Sequence, residues 1–186
     1  PRTKSEPRFD RLMPKGLKQT SPLFSLGAYV QESAANTWTD LEVALPLNTL
    51  DREVFVVTDV AVETANPNLD ALDTRCTAWV SKVQIPTGND PGINDTGIIG
   101  LRRTQIEYDA GTGNSVAFEF NSPMNVLGST GSATDYIGII ATPNFFLAVQ
   151  GVNNTGTMWA AVRVWGYRAQ ASGDVYSALV TEELSG

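Results

Sequence analysis

The stretch Thr157 to Arg168, TMWAAVRVWGYR, constrains the fold more than any other part of the chain. Read with period two, it places Met158, Ala160, Val162, Val164 and Gly166 on one side and Trp159, Ala161, Arg163, Trp165 and Tyr167 on the other. That is the alternation of a β-strand. Neither side is plainly polar. The aliphatic side suits the inside of a barrel or sandwich, and the Trp, Arg, Trp, Tyr side suits a second packed surface. The whole run from Asn144 to Arg168 reads as one long β-hairpin.

The same period recurs along the chain. Leu23 to Gln31 opens a strand series, and Thr37 to Leu45 follows as a half-buried strand with Trp38, Asp40 and Glu42 on its other side. Arg52 to Thr64 is long, with Val54, Val56, Thr58, Val60 and Val62 expected inward and Asp59 and Glu63 outward. Thr74 to Ile85 comes next, then a loop over residues 86–97 dense in Pro, Gly, Asn and Asp. The turn Ala110 to Asn114 (AGTGN) predicts a hairpin between Gly97–Asp109 and Asn114–Asn121, with Val116, Phe118 and Phe120 sharing one face. Tyr136 to Thr142 is apolar on both sides and predicts a central strand. Asp174 to Val180 reads as a last strand before a short acidic tail.

No stretch of ten or more residues keeps a 3.6-residue apolar period. With 186 residues, 42% of them hydrophobic, the chain can bury one sizeable core. Nine to eleven evenly spaced strands separated by long loops predict an all-β fold, a single jelly-roll β-sandwich rather than an up-and-down barrel. An immunoglobulin-like sandwich finds no support, because the strand count is high and Cys76 has no partner.

Charge divides the chain in two. Residues 1–22 hold six cations and two acids, net +4, and the remainder holds seven cations and eighteen acids, net −11. Four prolines in the first segment block a long helix or a central strand there. The expected organisation is therefore an extended basic N-terminal arm at residues 1–22 and a jelly-roll domain at 23–186. Candidate arm contacts are Arg2, Lys4, Arg8, Phe9, Arg11, Leu12, Lys15 and Lys18. A Lys-poor, acidic body suits high salt, which screens its self-repulsion. No signal-peptide pattern opens the sequence, and its longest apolar run is far too short to span a bilayer.

The chain has no histidine, which removes Ser-His-Asp and Cys-His catalysis and His-ligated metal sites. The paired carboxylates Asp40 with Glu42 and Glu182 with Glu183 read as solvated charges rather than a glycosidase pair. Gly88 to Asp95 offers hard oxygen ligands but not calcium-loop spacing, and reads as a turn. Cys76 reads as a small buried apolar side chain. These readings predict no enzyme, no cofactor and no metal. The acidic body disfavours sequence-specific nucleic-acid binding.

Trp159, Trp165 and Tyr167 can each bury about 150–250 Å², so all three exposed together would make a patch large for a monomer. Either the arm or a loop of the same chain covers them, or with Arg163 they form a candidate subunit interface. The alternative is a lectin-like module in which Trp159 and Trp165 stack on sugars.

The basic opening PRTKSEPRFD, the acidic Lys-poor body, the 186-residue length and the strand series ending in MWAAVRVWGYR resemble the smaller major capsid protein of icosahedral, internal-membrane viruses infecting halophilic archaea. The resemblance covers the whole chain and rests on overall character rather than a short motif. It implies a single jelly roll standing upright in the virion capsid, with copies of itself and a larger sister capsid protein as partners. The arm would contact neighbours or the internal membrane. It implies no catalytic residues.

Overall fold

The computed structural model describes residues 16–69, 72–122 and 136–184. The strands in chain order are β1 (Leu17–Gln19), β2 (Phe24–Gln31), β3 (Thr39–Ala44), β4 (Glu53–Thr64), β5 (Thr74–Ser81), β6 (Ile98–Asp109), β7 (Asn114–Ser122), β8 (Gly138–Ile140), β9 (Asn144–Val152) and β10 (Trp159–Ala171). An α-helix, α1 (Gly173–Leu184), follows. β10 pairs with β1, β2 and β4, and β4 with β8, giving one sheet. The second sheet runs β3-β9-β5-β6-β7.

The pairing has a simple logic. β2 pairs with β10, β3 with β9, β4 with β8 and β5 with β6, all antiparallel. This is a single long ribbon of nested pairs, rolled until β10 also meets β4 and β9 also meets β5. Nested pairs in two facing sheets define the jelly roll, as the strand spacing predicted. β7 is an added strand, the outermost of the second sheet among the described residues, closed onto β6 through the expected AGTGN turn. There Gly113 adopts φ 68°, and its N–H donates to the Asp109 carbonyl at 2.8 Å.

Between the sheets lies the main core, with Phe55, Val57, Val60, Cys76, Val80, Phe145, Leu147, Val149, Val162 and Val164 all buried. Lateral bonds tie the sheets where β4 faces β6. The Thr64 and Thr104 hydroxyls lie 3.1 Å apart, and Arg102 Nη1 donates to the Val62 carbonyl at 3.2 Å.

Four expectations are corrected. First, β9 and β10 form no hairpin. They lie in different sheets, and residues 153–158 carry the chain round the corner. The corner is fastened by Glu32, only 4% exposed, whose carboxylate accepts from the Gly151 N–H at 2.6 Å and the Met158 N–H at 2.7 Å. A short sequence window does not distinguish a hairpin from such an inter-sheet corner.

Second, Val54 and Val56 point outward under α1, while Phe55 and Val57 point into the core. The phase changes at Thr58. Trp165 pairs with Asp59 but Gly166 with Val57, so Thr58 is the extra residue of a β-bulge. One inserted residue exchanges the faces of everything before it.

Third, Asp174–Val180 is helical rather than extended. Val175, Tyr176, Leu179 and Val180 make one helical face, packed on Val54, Val56, Ala141, Ala169 and Ala171. The Tyr176 N–H donates to the Ser172 carbonyl at 2.9 Å, closing the first turn. Fourth, β8 is not central among the described strands, where it pairs with β4 alone. Its two apolar sides have separate causes: Ile140 faces the core and Ile139 faces the α1 cluster.

The end of α1 is tied down by an acid. Glu183, expected in a solvated tail, is 6% exposed and accepts from the Ala141 and Thr142 N–H groups at 2.8 and 2.9 Å. Lys82 Nζ meets Glu182 at 3.1 Å. No helix among the described residues is long and apolar enough to cross a membrane.

Candidate interaction surfaces

Two surfaces stand out, one on the outer face of each sheet. The first contains three of the four side chains singled out on β10. Trp159, Arg163 and Trp165 share the outer face of the strand, beside Tyr29 of β2 and Asp59 and Glu63 of β4, with Trp159 also packed against the rim of the main core. Small residues between them, Ala61 and Ala161, leave a shallow depression of about 350 Å³ edged by Glu63, Arg163 and Trp165.

The aromatic rings here are partly engaged within the sheet. Trp159 stacks on Tyr29 with centroids 5.9 Å apart and planes at 27°, a diagonal cross-strand pair. The Arg163 guanidinium carbon lies 6.0 Å from the Trp165 ring centroid, at the outer limit of a cation–π contact. Tyr167 does not join this surface. It lies on the same side of β10, but there α1 covers the sheet, and Tyr167 packs into the helix-facing cluster.

The second surface is β7, on which the sequence had placed Val116, Phe118 and Phe120 together without saying what they face. They lie on the outer side of the edge strand, 54%, 51% and 46% exposed. Beside them on β6 are Glu107, Gln105 and Arg103, their register partners. At the turn end, Val116 and Phe118 line an open groove with Asp73, Glu107 and Asp109. The Asp109 carboxyl is held below its usual range by a bond from the Thr112 hydroxyl and by the Gly111 N–H. Long-range position made this surface, and no local signal in the sequence shows it.

Around Trp79 that outer face is covered. Trp79 and Trp38 pack at 4.9 Å between centroids, with Ile85, Leu101 and Ala148 in the same cluster. The loop predicted at residues 86–97 folds over them, its Pro91 carbonyl accepting from Trp79 Nε1 at 3.1 Å. Asp90, within the stretch weighed as an ion loop, meets the Arg103 guanidinium at 2.8 Å and Arg75 at 3.5 Å.

Cys76 is fully buried, as expected of a small apolar side chain, and its thiol is pushed up to about 12 by burial and then by the charge of Glu32. Of the arm positions, Arg2, Lys4, Arg8, Phe9, Arg11, Leu12 and Lys15 lie outside the described residues. Lys18 is exposed on β1, whose partners are Ala169, Gln170 and Ala171, so Leu17–Gln19 within the 1–22 stretch belongs to the sheet.

No protein-family model matches the chain, and no curated protein matches it. Among solved structures, a chain of Desmodium yellow mottle tymovirus is similar over 92% of this chain and 96% of its own, at 14% identity and a TM-score of 0.27. At that score the two frameworks do not superpose closely, and the jelly-roll assignment rests on the strand pairing itself.

Proposed function

We propose that this protein is a structural subunit of a viral capsid, located in the virion and acting by assembly rather than catalysis. The observation that carries this reading is the pair of apolar outer surfaces on a closed sandwich. The core between the sheets is complete, yet Val116, Phe118 and Phe120 on β7 stand about half exposed, and on β10 the half-buried Trp159 and Trp165 flank the exposed Arg163. Contiguous surface of this kind marks interaction sites.

The sequence resemblance supports the finer reading: copies of the chain stand beside one another and beside a larger sister capsid protein, in an icosahedral shell over an internal membrane. The lectin-like alternative is less well supported. A sugar needs open indole faces, and Trp159 is stacked on Tyr29 while Arg163 lies over Trp165.

Sedimentation of the full chain in molar and in low salt, alone and with the sister protein, tests the proposal, with electron microscopy of the products. Oligomers or shells favoured by molar salt are expected, because screening relieves repulsion within the net −11 body, residues 23–186. A strict monomer under every condition refutes it.

A further inference from the structure

The groove beside β7 has a chemistry that the chain itself can complement. Its lining joins the apolar Val116 and Phe118 to three carboxylates, Asp73, Glu107 and Asp109, with no basic side chain among the described residues. Residues 1–15 carry five cations against two acids, net +3, interspersed with Phe9, Leu12 and Met13. Apolar anchors between positive charges match an apolar floor rimmed by negative ones.

Geometry decides whose arm fits. Leu17 pairs with Ala171 at the end of the sheet where Ala169 meets Val54. The groove lies toward the other end of β4, where Thr64 touches Thr104, the register partner of Glu119 beside Phe118. The ten residues from Val54 to Thr64 span about 33 Å at a strand's rise. From Gly16 back to Phe9 is seven residues, about 25 Å at full extension, and Leu12 and Met13 reach less far. The anchors therefore fall short of the groove on their own molecule.

We infer that the acid-rimmed apolar groove at the β6–β7 ribbon seats the basic N-terminal arm of a second copy of this chain. This rests on the assembly reading and gives it a specific contact: each subunit places its arm on a neighbour's β7 and offers its own β7 to another arm. Such a contact is heterologous, so it propagates around a ring or lattice instead of ending at a dimer.

The test uses the full chain with Phe118→p-benzoylphenylalanine, mixed in equal parts with a heavy-isotope-labelled copy, assembled, irradiated and mapped by mass spectrometry. Adducts joining position 118 of one copy to residues 1–15 of the other are expected. Glu107→Lys should lower their yield about fivefold, the effect of losing roughly 1 kcal/mol at an exposed charge pair, and Arg8→Glu with Arg11→Glu in the arm should restore it. If the chain assembles but the adducts join position 118 to its own residues 1–15, its own residues 123–135 or another copy's β7, or if none form, this contact is wrong and the assembly reading survives. A chain that stays monomeric overturns both.

Discussion

Glu32 offers the sharpest test of how the two sheets are joined. Its carboxylate, 4% exposed, accepts from two backbone N–H groups at 2.6 and 2.7 Å, on either side of the corner between β9 and β10. Glu32→Ala leaves both donors without acceptors in a space too enclosed for easy solvation. Each unsatisfied buried donor costs about 1–3 kcal/mol, so the corner should lose roughly 4 kcal/mol, against a total stability of about 5–15 kcal/mol for a domain. Glu32→Gln keeps one acceptor oxygen and should lose about half as much. In urea, with a slope of about 2 kcal/mol/M, the alanine variant's midpoint falls by about 2 M. The Cys76 thiol supplies a second readout. Glu32's charge helps to raise its pKa, so in Glu32→Gln, Cys76 should ionise at lower pH in the folded protein. A midpoint shift below about 0.3 M in the alanine variant, with Cys76 unchanged in the glutamine variant, would refute this account of the corner.

Three further outcomes follow from the same coordinates. Glu183→Ala removes the acceptor for the Ala141 and Thr142 N–H groups and should cost about 2–4 kcal/mol, read by thermal unfolding together with faster proteolysis of α1. Gly166→Ala puts a methyl group 2.3 Å from the Val56 carbonyl oxygen and 2.6 Å from the Phe55 ring. Because a backbone atom blocks it, a loss of more than about 2 kcal/mol is expected by urea titration. Cys76, whose thiol is raised by burial from an ordinary 9.0 to about 12 in the folded chain, favours the native state below pH 9, and this contribution is lost as pH rises from 9 toward 12, where the unfolded thiol ionises first. Between pH 8 and 10 the wild type should lose about 1.4 kcal/mol more than Cys76→Ala, and native Cys76 should resist alkylation at pH 8.

Much of the fold was legible because strand faces are written locally. β10 has its aliphatic residues in the core and its aromatic ones outside, as the alternation required. The β6–β7 turn followed from the AGTGN run, residues 110–114. What escaped notice needed information from elsewhere in the chain. The bulge at Thr58 inverts the first part of β4, and nothing in the run of valines announces it. Asp174 to Val180 fits both a strand and a helix; the buried Glu183, on the same helical face as Leu179, decides between them only once the sheet beneath is known. Of the candidate surface, Trp159, Arg163 and Trp165 were legible as a shared face. Tyr167 was not separable from them, because the helix that covers it had been read as a strand.

Nesting the strand pairs also sets a timetable. β4 carries Val54, Phe55, Val56 and Val57, all fully buried at completion, yet its partners β8 and β10 begin only at Gly138 and Trp159. Gly138 comes 74 positions after Thr64, a stretch that takes about 4–15 s to synthesise at typical rates of about 5–20 residues per second. For that interval this valine-rich strand has neither neighbour, and pairing across such separations is slow even in the finished chain. The interior strand is made early and enclosed late, so the nascent chain's greatest need for shelter comes long before any subunit could meet another.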